Sequence, residues 1–298
     1  MNLRQLANFL AVADTANMSR ASGRVHLSQS ALSRQIAQLE DGLGVPLFRR
    51  SGAGMVLTDA GVRLRDGVAP LLRALHEVAR DVRDAPETVS GDVSVGVPPS
   101  LRRTLTLPFL AAMREALPNV FCRVDQGTTA AMRELAVRGD VDFAVISNVE
   151  RPVGLRTEPL LDEPMLLVGP EGSLGRAASV KPERLRTLPL IVTPPRNSLR
   201  ILVDRALGRG ARRTDGAVSR FAAQVTVPEL MLDLVTAGTG YAVLPRCALS
   251  LADASARFDA RPIAGMRIGW VLATPKDRPL TRAARHALEL LRACAIGG

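Results

Sequence analysis

Leu27-Ser28-Gln29-Ser30-Ala31-Leu32-Ser33-Arg34-Gln35-Ile36, running on to Leu39, Gly42 and Gly44, is the stretch on which the N-terminal fold turns. Leu32, Ile36 and Leu39 recur at spacings of four and three, one face of an amphipathic helix. Ser28 stands where a cap belongs, and the two glycines end the helix. Ser30, Ser33, Arg34 and Ala37 occupy the opposite face, with Gln29 at its N-terminal edge. Upstream, Leu3, Leu6, Leu10 and Ala13 mark a first helix. After a break at 14–17, a short second helix is expected over about 19–25, capped by Ser19 or Asn17. Two short helices joined by a tight turn, the second showing small hydrogen-bonding groups outward, form a helix-turn-helix pattern. A helix that enters a major groove about 12 Å wide must bond base edges and phosphates without bulk. Ser28, Gln29, Ser30, Ser33 and Arg34 are the side chains for that task. A solvated face of an ordinary bundle would read the same way.

The residues that follow add two features. Gly44-Val45-Pro46-Leu47-Phe48 is an apolar turn leading into Arg49-Arg50-Ser51-Gly52-Ala53-Gly54 and Met55-Val56-Leu57-Thr58, a hairpin with glycines at its tip. Arg49 and Arg50 at its start can lie along a phosphate backbone or in the adjoining minor groove; a basic surface loop is the alternative. Leu64, Val68, Leu71, Leu75, Val78 and Val82 then alternate at spacings of four and three, a seam over nearly three heptads that asks for a partner helix. Thr58 or Asp59 caps its start, and Pro70 inside it predicts a kink. Dimerisation is the expectation, with packing against its own domain as the alternative.

The 27–36 stretch, together with Leu39-Glu40, Leu43-Gly44-Val45-Pro46-Leu47-Phe48-Arg49-Arg50 and Leu57-Thr58-Asp59-Ala60-Gly61, resembles the DNA-binding region of LysR-type transcriptional regulators, densely over about residues 1–85. Within it, Ser22-Gly23 stands where the family usually has alanine followed by a helix former, Met18 replaces the usual phenylalanine and Ser30 the common proline. Gly23 costs its helix up to ~1 kcal/mol relative to alanine. The resemblance implies a winged helix-turn-helix domain over 1–58, a linker and dimerisation helix over 59–88, and a two-lobed effector domain over 89–298. It also implies tetramers formed through the effector domains.

Beyond a linker at 86–92 the chain alternates strands with helices, which argues for an α/β fold with parallel sheet. Strands are expected over 92–97, 120–124 and 141–146, then over 165–168, 190–192, 221–225 and 240–244, and finally over 268–273. Helices are expected between them, including 197–207 and 228–237, with a C-terminal helix over 281–293. The economical arrangement is two α/β lobes, about 89–162 with 266–298 and about 163–265, similar to periplasmic solute-binding proteins. The family likeness is looser here, carried by Val95-Gly96-Val97-Pro98-Pro99-Ser100, Glu158-Pro159-Leu160-Leu161 and the run from Ala237 to Pro245. Ligands of open α/β sheets bind beyond the carboxyl ends of strands, where helix N-termini offer free N–H groups. Ser100, Thr128, Ser147, Arg196, Asn197, Ser198 and Thr226 stand at such points, so a small anionic effector is expected there. Helix capping alone also explains such residues.

Composition narrows the classes. The 298 residues are 47% hydrophobic and 23% charged, ordinary globular values, with no apolar run of the ~18 residues a membrane span needs. No secretory leader is evident at the start, and a cytoplasmic location is expected. Cys122, Cys247 and Cys294 lack metal-site or disulfide spacing, the three histidines are scattered, and nucleophile-elbow and phosphate-loop motifs are missing. No metal, cofactor or catalytic residue is therefore predicted. The net charge of +10 is almost wholly arginine, yet residues 1–58 carry only +3 and residues 181–220 carry +7, including Arg209, Arg212 and Arg213. Double-stranded DNA and a small molecule are the expected partners of a homodimer or homotetramer. An enzyme working in the α/β cleft, with the N-terminal helices serving only to dimerise it, and a constitutive DNA binder are the competing readings.

Overall fold

In the computed structural model, which describes residues 1–52, 54–83, 89–150, 152–208, 221–276 and 278–296, the chain divides into two compact units, Met1–Ala85 and Pro86–Gly298. Asn2 and Gln5 close a capping box at the start of α1 (Leu3–Thr15). Asn17 caps α2 (Met18–Arg24) by accepting the Arg20 N–H at 3.0 Å. Ser28 caps α3 (Gln29–Leu43) by accepting the Ala31 N–H at 3.2 Å, and Gly44 ends it at φ +69°. The apolar faces of these helices meet in a core of Phe9, Val12, Leu32, Ile36, Leu39 and Leu47.

The hairpin pairs β1 (Phe48–Ser51) antiparallel with β2 (Gly54–Leu57). It is fixed at both ends. Glu40 on α3 accepts the N–H groups of Leu47 (2.7 Å) and Phe48 (3.1 Å), and the Met55 N–H donates to the Ala16 carbonyl at 2.9 Å. Thr58 then donates to the Pro46 carbonyl (2.7 Å) and accepts the Gly61 N–H (3.1 Å), opening α4 (Asp59–Arg83), which runs on through Pro70. Gly61 is obligatory for packing, because a Cβ there would collide with the Leu47 carbonyl oxygen.

The second unit is one eight-stranded sheet in the order β4-β3-β5-β10-β6-β9-β7-β8. Its first half carries β3 (Gly91–Val97), α5 (Leu107–Ala116), β4 (Val120–Gln126), α6 (Thr129–Arg138) and β5 (Phe143–Ser147); its second carries β7 (Leu190–Val192), α7 (Ser198–Leu207), β8 (Phe221–Gln224), α8 (Pro228–Thr236) and β9 (Tyr241–Pro245). Two long strands, β6 (Leu155–Pro170) and β10 (Phe258–Pro275), pair antiparallel and run through both lobes, before α9 (Arg282–Ile296) returns to the first. One hydrophobic core runs through both lobes, from Val93 to Leu291.

The sheet is therefore mixed, not parallel, and most of β6 and β10 lies outside the strands expected from sequence. Pro159, Pro164 and Pro262 interrupt the alternation there, and proline reads as a strand breaker because it cannot donate to a ladder. All three sit beside the two register shifts, between Pro262 and Arg267 and between Trp270 and Val271. The bulges accommodate them. Arg209, Arg212 and Arg213 lie outside the described residues, as do the side chains of Arg50 and Val82.

Candidate functional site

The exposed face of α3 is the first candidate. Ser28, Gln29, Ser30, Ser33 and Arg34 are all exposed, while Leu32, Ile36 and Leu39 on the other side are buried. The Ser28 hydroxyl caps the helix and lies 3.2 Å from the Ser30 hydroxyl, while Gln29, Ser33 and Arg34 stand exposed beside them. Buried Asn8 donates to Gln35 and so fixes the face's roll against α1. Arg49 is exposed at the start of the hairpin.

The seam on α4 divides in two. Leu64 and Val68 pack against the unit's own core beside buried Leu72, so for these two the alternative of packing against their own domain applies. A helix that closes its own domain must give its first turns to that core. Leu71, Leu75 and Val78 remain 68%, 43% and 60% exposed, an apolar stripe facing outward.

In the second unit a cleft of about 220 Å³ opens where strands end and helices begin. The turn after β3 contributes Pro98, Pro99 and Ser100; the β4–α6 turn contributes Gln126 to Thr129; β7 and α7 contribute Thr193 and Asn197 to Leu199; the β8–α8 turn contributes Thr226 to Pro228; and Trp270 comes from β10. Both lobes thus supply walls, and none of these lining side chains is charged. Thr128 and Asn197 cap α6 and α7, accepting N–H groups of Ala131 (3.2 Å) and Leu199 (2.9 Å), whereas no side chain caps α8.

Five of the seven expected ligand residues line this cleft: Ser100, Thr128, Asn197, Ser198 and Thr226. Ser147 and Arg196 do not. Ser147 is fully buried behind the wall, its hydroxyl donating to Ser198 Oγ at 2.6 Å and lying 3.2 Å from Thr129 Oγ1, so it ties the two lobes together. Arg196 sits in the turn before α7 at φ +70° and is not part of the lining. Two further ties cross between the lobes. Arg102 pairs with Glu229 at 3.4 Å, and Arg205 donates to the Val149 carbonyl at 3.0 Å.

The sequence reading missed Thr193 and Trp270. Thr193 is 2% exposed, and its hydroxyl has no hydrogen-bond partner among the described residues. The Trp270 indole N–H donates to Glu163 Oε1 at 2.6 Å, and the other Glu163 oxygen accepts the Cys247 N–H at 2.7 Å. Thr193 was findable, since it follows β7 as Thr226 follows β8. Trp270 was not, because a strand interior carries no ligand signal.

Comparison with known proteins fits both halves. Residues 3–62 match the bacterial regulatory helix-turn-helix proteins of the lysR family, and residues 86–295 match the LysR substrate binding domain. The HTH-type transcriptional regulator YfeR of Shigella flexneri is 30% identical over 98% of this chain and 93% of its own length. The nitrogen assimilation regulatory protein nac of Escherichia coli strain K12 is 28% identical over 91% of this chain and 83% of its own. A full-length OxyR variant from Pseudomonas aeruginosa superposes with a TM-score of 0.77 at 22% identity, covering 99% of this chain and 94% of that one. CbnR in complex with its target DNA superposes at 0.64 and 24% identity, covering 99% of this chain and all of that one. With family matches at both ends, helix-turn-helix and substrate-binding domain, the chain belongs to the LysR family of transcriptional regulators.

Proposed function

We propose that this regulator reads double-stranded DNA through the exposed face of α3 and the adjoining hairpin, and that a small anion bound in the cleft sets its response. The winged helix-turn-helix occupies 1–58, the linker and dimerisation helix 59–88 and the effector domain 89–298. The working form is a homodimer or homotetramer in the cytoplasm. The observation that carries the effector reading is the convergence of three helix N-termini, those of α6, α7 and α8, on one uncharged cleft lined by hydroxyls and amides. N–H groups and the helix dipole at such ends favour negative charge. No helix among the described residues is long and apolar enough to cross a membrane.

Some relatives are named hydrogen peroxide-inducible genes activators. Peroxide chemistry needs a thiolate. Burial and the nearby Asp142 push the Cys122 thiol up to about 11, burial and Glu163 push Cys247 higher still, and burial raises Cys294. A reversibly bound effector fits these thiols better than an oxidant.

A thermal-shift panel of small carboxylates beside their neutral amides tests the reading. A ligand at 100 times its Kd stabilises by about 2.7 kcal/mol. Carboxylates should stabilise and amides should not; equal shifts would contradict the anionic reading. Mobility shifts on genomic fragments, abolished or weakened by Arg34→Ala, test the DNA-reading face.

A further inference from the structure

The cleft's lining narrows the class of anion, and this step rests on the proposed ligand cleft. Charge sets the first limit. With no ionised side chain in the lining, helix N-termini and hydroxyls are the groups left to meet negative charge, and they suit one carboxylate. A second would lack a counter-ion. Among the neighbouring arginines, Arg102 pairs with Glu229, Arg200 pairs with Asp204 (2.9 Å) and donates to the Thr193 carbonyl (3.3 Å), and Arg196 is exposed outside the lining.

Shape and surface set the next limits. Pro98, Pro99, Leu199, Val227, Pro228 and Trp270 line the cleft with apolar surface. The Trp270 N–H is committed to Glu163, so its ring offers carbon rather than a donor, and Glu163 holds that ring in place. An apolar cavity of about 150 Å³ accommodates benzene. At about 220 Å³ the cleft has room for one such ring with a carboxyl group.

The last limit is the Thr193 hydroxyl. It is buried, has no hydrogen-bond partner among the described residues and belongs to a lining residue at the end of β7, and rotation about χ1 is the motion that would turn it toward a bound molecule. A buried hydroxyl left unpaired is unfavourable, so a ligand group that satisfies it binds more tightly. We infer that the cleft selects a single-ring aryl monocarboxylate bearing a hydrogen-bonding ring substituent, with Trp270 as the flat wall and Thr193 as the residue that reads the substituent.

The protein supplies its own reporter, because Trp270 is the one tryptophan of this sequence. Fluorescence titrations, repeated by calorimetry, would use benzoate, the three hydroxybenzoates, cyclohexanecarboxylate, acetate, phthalate and benzamide. Benzoate should bind at least tenfold more tightly than acetate, cyclohexanecarboxylate or phthalate. One hydroxybenzoate should exceed benzoate by a further fivefold or more. In Thr193→Val that last advantage over benzoate should vanish, and Thr193→Ser should retain it. Acetate or cyclohexanecarboxylate binding as tightly as benzoate would overturn the aryl class and leave the anionic reading standing. An advantage that persists in Thr193→Val would overturn the role of Thr193. Benzamide matching benzoate would overturn the anionic reading itself. No binding by any benzoate would overturn this inference.

Discussion

In Met1–Ala85 the outward-facing residues come from one helix and the hairpin beside it, from Ser28 to Arg49, and they project from a surface whose reverse is the core. In Pro86–Gly298 the cleft gathers side chains from six elements between Pro98 and Trp270, and it is concave, uncharged and ringed by helix N-termini. The first arrangement suits a rigid extended partner, where charge and hydrogen bonds are offered outward. The second suits a small molecule that must be surrounded. Each unit is therefore vulnerable at a different place. The exposed face of α3 should tolerate substitution without loss of fold, and the packing beneath it should not.

The largest effect is expected at the open stripe of α4. Leu71→Asp with Leu75→Asp places charge where a partner helix would bury it, at a cost of several kcal/mol, about 4 or more. Mass from light scattering on the full chain should fall, and cooperative occupancy of paired half-sites, about 10 bp or a multiple apart, should be lost. Unchanged mass and cooperativity would remove the stripe from the interface. Next comes Gly61→Ala, which should destabilise the N-terminal unit by about 3 kcal/mol through overpacking against Leu47. Urea unfolding by circular dichroism should show an early transition that Trp270 fluorescence does not follow. A single coincident transition would mean that the two units unfold as one.

Arg34→Ala separates face from core more finely. Specific DNA affinity should drop by about 1–3 kcal/mol if the side chain reads a base. Its melting behaviour should be unchanged, since Arg34 is exposed. A loss uniform across sequences would assign it to phosphate instead. The smallest change runs the other way. Gly23 lies in α2 with open space around its Cα, so Gly23→Ala should stabilise the unit by about 0.5–1 kcal/mol. A destabilisation measured by the same urea experiment would show that α2 needs the glycine.

The sequence made the N-terminal unit legible almost residue by residue, because its signals are local. Leucine spacing and the caps at Asn17 and Ser28 are all contained within a few turns of chain. What it concealed was long-range. Leu64 and Val68 continue the seam's period yet turn inward, and only the position of Leu72 and the core reveals that. In the second unit, strand ends were readable and with them Ser100, Thr128, Asn197, Ser198 and Thr226. The two strands that join the lobes were not, since Pro159, Pro164 and Pro262 hide at bulges that depend on the partner strand. Trp270 and its hydrogen bond to Glu163 belong to those same strands. Ser147 showed the right residue type at the right strand end, but its burial behind Ser198 is a matter of packing.

The proposed response couples ligand binding in the cleft of one unit to the DNA affinity of the other. Calorimetric titration of a carboxylate that perturbs Trp270 fluorescence, with and without saturating operator DNA, tests it most directly. Operator should shift carboxylate affinity by the same factor by which the carboxylate shifts operator affinity, about 5–150-fold. A carboxylate that fills the cleft and leaves both affinities unchanged would contradict it.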